Sequence, residues 1–244
     1  MRQFLSLCAI GLAAMAVTTP AAHAGSVDVQ VGYADNLRPS AFFPNPFNNG
    51  LTSPGSYSLG GHTVNYLGGG GSIDAGAFRL INTGVVDVTL NPGVRVDGFA
   101  NGGSFQIWDS IIGGGLVLHP GDQAIFTQTG SYNFDSSDEV VGGNSPFTPS
   151  SAKPVVHFFL NGSLTDTPFT DSGQVLNTGG FDLANFPAFS PNKDGNEALN
   201  WRDIGTTGIG DPAGTGVVPE PTSMALLATG GLPLLGFLRR RRAA

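Results

Sequence analysis

The chain of 244 residues has one cysteine, Cys8, and it lies within the first 24 positions. The body that follows therefore has no disulfide, no thiolate nucleophile and no cysteine-ligated metal. Charge is also scarce, at 12% of residues. Bases are the scarcest: positions 25–218 hold six (Arg38, Arg79, Arg95, Lys153, Lys193, Arg202) against 17 of the 18 acids, a net of −11. So acidic a body argues against nucleic acid and against anionic lipid surfaces as partners. Three histidines follow position 24, His62, His119 and His157, each isolated in the sequence. Zinc sites usually draw their ligands at tight spacing. There is no G-x-S-x-G nucleophile elbow, and the glycine run 68–71 lacks the lysine of a phosphate loop. The body has no helical periodicity longer than two turns. Its apolar runs are short, and the two long ones sit at the ends of the chain.

Both ends read as addresses. Arg2, an apolar stretch over 4–17 and the small residues Ala22 and Ala24 around His23 form a signal peptide, residues 1–24. Export through the Sec translocon and cleavage by signal peptidase would leave Gly25 first. The competing reading is an uncleaved anchor, for which the apolar run is short. A lipoprotein is disfavoured because Cys8 lies inside that run. At the other end, residues 222–238 carry no charge. As a helix they would span about 26 Å, near the lower limit for a bilayer. Gly230, Gly231 and Pro233 interrupt them, which membranes tolerate. Arg239, Arg240, Arg241 and Arg242 form a stop that stays cytoplasmic. A buried core helix with a solvated basic end is the alternative. Residues 209–217, rich in glycine, read as a flexible spacer.

Pro219-Glu220-Pro221, an apolar span and an arginine cluster, in that order, resemble the PEP-CTERM sorting signal, over residues 218–244. The resemblance implies an exosortase as partner, a membrane-embedded cysteine transpeptidase or protease of Gram-negative bacteria that make exopolysaccharide. It would cut near Pro219, Glu220 and Pro221. The span would then be a transient inner-membrane anchor, and the body would finish at the cell surface or outside. Two prolines flanking a glutamate form an extended, hydrogen-bond-poor segment, which suits a protease cleft.

The body, residues 25–208, reads as all-β: an antiparallel sandwich, immunoglobulin-like or jelly-roll-like. Positions 25–218 hold 33 of the 37 glycines, and short apolar runs alternate with turn signals. Strands are expected over 27–33, 62–67, 77–82, 85–90, 105–108, 116–118, 123–128, 155–160, 164–170 and 174–176. Turns are expected at Asn82-Thr83-Gly84, Asn91-Pro92-Gly93, Asn101-Gly102-Gly103, His119-Pro120-Gly121 and Asn161-Gly162. The last suits a two-residue type I′ hairpin. The order of strands and turns over 77–129 resembles the immunoglobulin-like modules of secreted bacterial proteins, which implies a fold and no site. Residues 134–154 read as a long loop or a boundary. Residues 155–208 either complete the sandwich or form a second lobe, and completion is preferred because so short a piece rarely makes its own core.

Candidate sites in the body are sparse. Asn192, Asp194 and Asn196 alternate like the start of a calcium loop, but Gly195 comes too early and the twelfth position is Asp203. Solvated turns are the preferred reading there and at Asp135, Asp138 and Glu139; no cofactor is assigned, with calcium kept as the alternative. Phe42, Phe43 and Phe47 lie in a proline-rich loop and could stack on sugars if exposed. Trp108 and Trp201 are read as packing residues. Asn161-Gly162-Ser163 fits a glycosylation sequon, a weak signal in a bacterium. The sequence thus points to a non-enzymatic structural or adhesive protein of the extracellular matrix, with exopolysaccharide as a possible partner. A glycan- or calcium-binding module is the alternative. A secreted hydrolase ranks third and would need a deep cleft with two converging carboxylates.

Overall fold

The computed structural model describes residues 25–37, 39–131, 134, 150–180 and 196–209. They fall within one compact unit, His23–Gly210. The expected signal segment (1–24) and the expected membrane span (222–238) lie outside the described residues, as does the sorting segment. Among the described residues no helix is long and apolar enough to cross a membrane.

The elements are β1 (Gly25–Asp35), β2 (Gly55–Leu59), β3 (His62–Leu67), β4 (Asp74–Asn82), β5 (Val88–Asp97), α1 (Asp109–Ile112), β6 (Leu116–Leu118), β7 (Gln123–Phe126), β8 (Val155–Leu160), β9 (Thr167–Thr170) and β10 (Leu199–Ile209). They make a six-stranded sheet, β10-β1-β4-β7-β3-β2, and a four-stranded sheet, β6-β5-β8-β9. Alternation drives this: along β8, Val156, Phe158 and Leu160 are buried while Val155, His157 and Phe159 are not. Val29, Val31, Phe78, Leu80 and Phe126 from the larger sheet share one apolar cluster with Leu90, Val94, Val96, Val156 and Phe158 from the smaller. Two sheets over one core make an all-β sandwich. Trp108 is fully buried in it. Its ring meets Phe78, Phe126 and Phe134 edge-on at 5.1, 5.7 and 5.4 Å, and its indole N–H donates to the Thr127 carbonyl at 2.7 Å.

Several expectations need correction. One pairing, β3 with β7, is parallel. The β2–β3 hairpin is inserted between β1 and β4 and joins the sheet beyond β7, so a crossover and not a hairpin turn sets its direction. Residues 105–108 are not a strand. Phe105 makes a single bridge to Val96, and Trp108 turns into α1; burial of the indole overrides the strand-like alternation. Residues 174–176 form turns, because the buried Asp171 carboxylate accepts the Leu176 N–H at 2.8 Å and folds the loop back. Asn91-Pro92-Gly93 lies within β5, as a bulge between Asn91 and Arg95. The turn at Asn161-Gly162 has the positive φ of a type I′ turn at both residues (52° and 73°), yet β9 starts only at Thr167. Strands β2 and β10 were not expected; both are sheet edges with polar, exposed residues.

The outer face of the larger sheet carries a second apolar layer. Phe47 is buried against Tyr66 at 5.7 Å, Trp201 donates to the Pro46 carbonyl at 2.9 Å, and Tyr57 donates to that of Phe47. Phe42 is exposed, whereas Phe43 packs on Phe47. Trp201 therefore covers this outer face and does not close the inner one. Beneath the layer lies Arg79, with Trp201 over its guanidinium at 4.7 Å. Its donors go to Gln30 and Gln123. Burial pulls Arg79 down to about 10, with Tyr57 opposing.

One buried side chain joins the two sheets. Asn82, at the end of β4, donates from Nδ2 to the carbonyls of Val86 and Leu118 at 2.9 and 2.8 Å. Its Oδ1 accepts the Gly84 N–H at 3.0 Å. Its backbone bonds Asp122 and Gly121 at 3.0 and 2.7 Å. Asp122 in turn accepts the N–H groups of Thr63 and His119 at 2.7 and 3.1 Å. The turns 82–84 and 119–121 thus form one knot.

Two predictions follow from burial. Asn82→Ala strands two carbonyls and an N–H in the interior and should cost about 3 kcal/mol or more; denaturant melts measure it, and a loss below about 1 kcal/mol would refute the knot. Tyr66 is the opposite case. Its buried hydroxyl has no hydrogen-bond partner among the described residues, so Tyr66→Phe should stabilise by about 1 kcal/mol, or roughly 2–4 °C. Burial also pushes the phenol above its ordinary 10.0. The unfolded chain then releases this proton at lower pH than the folded one, so stability falls as pH rises past about 10. The gain from Tyr66→Phe should therefore grow between pH 8 and about 11; thermal melts at both ends check the sign.

Candidate ligand-binding face

Among the described residues the outer face of the smaller sheet is covered only in part, by the loop 161–166, and it carries a cluster of charged groups. Its inner residues are apolar, so alternation sends Arg95 and Asp97 of β5 and His157 and Phe159 of β8 outward. Register sets Arg95 opposite His157 and Asn91 opposite Phe159. The loop 161–166 returns over β8 and adds Asp166.

These residues form a charged network. Arg95 reaches Asp166 from Nη2 at 2.6 Å and Asp97 from Nε at 3.3 Å. His157 faces Asp97 from Nε2 at 3.0 Å and Asp166 from Nδ1 at 2.7 Å. Nδ1 also lies 3.1 Å from Arg95 Nη2. A neutral ring can donate to Asp97 and accept from Arg95; a doubly protonated ring can donate to both carboxylates. Burial is the largest single influence on the Arg95 guanidinium and pulls it down, but the hydrogen bonds and charges of Asp166 and Asp97 together outweigh it and raise it, so it remains a fixed cation. The two carboxylates converge on Arg95 and His157.

Beside the network is a shallow hollow of about 370 Å³ lined by Asn91, Pro92, Phe159, Gly162, Ser163 and Leu164. The β5 bulge builds one wall. Gly93 has φ 104°, and a Cβ there would sit 2.9 Å from the Phe159 ring, so glycine lets the strand close on the aromatic. The Gly93 N–H, freed from the ladder, donates to Asp109 Oδ1 of α1 at 2.7 Å. The turn builds the other wall. Asn161 accepts the Thr89 N–H at 2.9 Å and donates its own N–H to Thr89 at 2.7 Å, and Ser163 Oγ accepts the Thr165 N–H at 3.0 Å. Leu164 at the rim is 97% exposed.

Little of this was visible in sequence. His157 is not isolated, and its partners stand 60 residues away or nine residues on, across a loop. His119 pairs with Asp87 at 2.8 Å on the surface. Of the calcium candidates, Asn192 and Asp194 lie outside the described residues, as do Asp135, Asp138 and Glu139. Asn196 is buried: its Oδ1 accepts the Ala198 N–H at 3.0 Å and its Nδ2 donates to the Asp35 carbonyl at 3.2 Å, so its oxygen serves the fold. Among the described residues no group of three His, Cys, Asp or Glu side chains could hold a metal ion. Ala22, Ala24, Pro219, Glu220, Pro221 and Arg239–Arg242 lie outside the described residues.

Residues 217–242 match the PEP-CTERM protein-sorting motif. That motif marks an exported protein processed by an exosortase. No curated protein and no solved structure matches the chain.

The network yields a stability prediction. Asp166→Ala frees the loop 161–166 and removes a shared partner of Arg95 and His157. With these groups about one third exposed or less, the expected loss is about 1 kcal/mol at low salt, shrinking near 1 M salt. Denaturant melts at the two salt concentrations measure it; a salt-independent loss would mean that packing, and not charge, holds the loop.

Proposed function

We propose that the chain is a sorted extracellular component with a structural or adhesive role and no catalytic activity of its own. It is exported through the Sec translocon, cut by signal peptidase after Ala24 and held for a time by residues 222–238. An exosortase then acts at Pro219, Glu220 and Pro221 and delivers the body to the surface or matrix, among exopolysaccharide. The observation that carries this reading is the sorting motif at 217–242. The body agrees with it. Gly25 pairs with Ile209, so the two ends of the folded unit leave from one edge. The absence of cysteine after position 24 frees folding from any redox requirement.

The body is read as a modified immunoglobulin-like module. Taking β1, β4, β5, β6, β7, β8 and β9 as strands A to G, A, B and E lie in one sheet and C, F and G in the other, as in that fold. The fourth strand, β6, pairs with C instead of E. The β2–β3 hairpin and β10 are additions. A hydrolase is disfavoured because the one converging carboxylate pair described, Asp97 and Asp166, closes on Arg95 and His157.

The sorting reading is tested on cells. Deleting residues 217–244 should abolish labelling of the intact cell surface by an antibody to the body. The triple variant P219A/E220A/P221A should leave a longer, membrane-associated form on immunoblots. Unchanged surface labelling after the deletion would sink the reading.

A further inference from the structure

We infer that the end of the sandwich at which Gly25 and Ile209 meet rests on a lipid surface while the chain is anchored, with Val85, Val86 and Val117 as the contact. The inference rests on the reading above that residues 222–238 hold the chain in a membrane for a time. It gives the folded body a partner of its own.

Exposed apolar side chains scattered singly over a surface need no explanation. Here they gather. Of the seven large apolar residues exposed among the described residues, five lie at or beside this one end: Leu59, Val85, Val86, Val117 and Leu164. The bonds of the fold place them there. The N–H groups of Thr83 and Gly84 donate to the Ser26 carbonyl at 2.9 and 3.2 Å, next to the Gly25–Ile209 pair, and Val85 and Val86 follow directly. Alternation predicts a strand from Val85, but β5 starts at Val88. Asn82 takes the carbonyls of Val86 and Leu118 with one amide, which holds both valines outside the sheet and sets Val117 near them. Leu59 flanks one side: it pairs with His62, against whose ring a Cβ on Gly121 would fall at 2.2 Å. Leu164 flanks the other, three residues beyond Asn161 and its bonds to Thr89. The remaining two, Leu37 and Phe42, lie past the far end of β1 and over the larger sheet.

A lipid surface fits this end by connection, charge and strength. Twelve residues, 210–221, join Ile209 to the apolar segment 222–238, a reach of roughly 45 Å at full stretch. The end that carries Ile209 is therefore the part of the body kept nearest to a bilayer that holds this segment. The valines adjoin one exposed charged pair, Asp87 and His119, 2.8 Å apart. The net charge of −11 over positions 25–218 repels an anionic surface, so a zwitterionic headgroup layer is the surface in question. Three valines and two flanking leucines make a weak contact alone, and too small an apolar area for a stable pairing of two copies. The tether makes that contact intramolecular and raises its effective concentration. Cutting at Pro219, Glu220 and Pro221 removes the tether, and the contact no longer keeps the body at the membrane. The same end thus holds the body down before the cut and lets it leave afterwards.

The test uses the full chain with Cys8→Ser, reconstituted in phosphatidylcholine vesicles. A single new cysteine, Val85→Cys or Leu37→Cys, carries a fluorophore, and brominated phosphatidylcholine is the quencher. Both positions are exposed, so labelling spares the core. The label at position 85 should be quenched about twofold or more over the label at position 37. Adding Val86→Asp and Val117→Asp should bring it down to the level at position 37 without moving the melting point. Equal quenching at the two positions, or quenching at position 85 that survives both aspartates, would overturn the inference. So would quenching that follows protein density and not bromination, which marks a second copy as the occupant. Flotation keeps the two readings apart. A chain that does not float with the vesicles loses the anchor and this contact together; a chain that floats with its label at position 85 unquenched loses the contact alone.

Discussion

The structure turns on Asn82. A cysteine-free sandwich has no covalent tie between its sheets, and face-to-face apolar packing does not by itself fix how two sheets meet at their ends. Asn82 is fully buried, and its side chain and backbone bond to residues leading into β5, at the end of β6 and ahead of β7. Both amide hydrogens and the amide oxygen are used. Asp122 extends the knot to β3 through the Thr63 N–H. The geometry is demanding: aspartate would lack the donor, and a longer glutamine would displace the turn. A buried polar knot of this kind is costly when half-made and specifying when complete. The six-stranded and four-stranded sheets therefore have one way to register at this end.

The sequence made the strands with an apolar face legible and the polar edges of the larger sheet illegible, for a physical reason. Strands β3, β6 and β8 were expected at their observed bounds, since their apolar alternation reports burial on one face. Strands β2 and β10 are edges, and β10 runs through Asn200, Arg202, Asp203 and Thr206, whose exposure removes the pattern. The knot was half visible: Asn82-Thr83-Gly84 and His119-Pro120-Gly121 were read as separate turns, and nothing local shows that two turns bond to each other. The charged network on the smaller sheet was hidden for the same reason. Arg95, Asp97, His157 and Asp166 are ordinary surface residues until register brings β5 against β8. The bulge at Gly93 was legible as glycine and misread as a turn, because a bulge and a turn place the same demand on φ.

The pairing of β1 with both β4 and β10 fastens the start of the body to its end. Strand β1 begins at Gly25 and is a central strand only once β10 has paired with it. The two strands are almost the full length of the described body apart, so this contact has high sequence separation and loop closure weighs against forming it early. Gly25 and Ser26 are also covered by the 82–84 turn, where a Cβ on Gly84 would lie 2.6 Å from the Ser26 nitrogen. The start of the body is thus fastened by the knot on one side and by the last strand on the other. The bulges at Val29–Gln30 and Val31–Tyr33 twist β10, which makes this edge a poor template for another chain.

The two outer faces of the sandwich are built differently. The face of the larger sheet is covered by residues 39–51, with Phe47, Tyr57 and Trp201 sealing Arg79. Its polar groups are mostly satisfied from within: Trp201 and Tyr57 donate to backbone carbonyls, and Arg79 bonds two glutamines. Aromatics there are structural, despite the proline-rich segment that made them look like a sugar platform. Among the described residues the face of the smaller sheet has only the loop 161–166 over it, with the Arg95–Asp97–His157–Asp166 network beneath. An aromatic that packs under a lid needs no ligand to explain it. Phe159 on the smaller sheet is likewise mostly covered, since the bulge lets the Gly93 backbone close on its ring, and of this group only Leu164 stands fully in water.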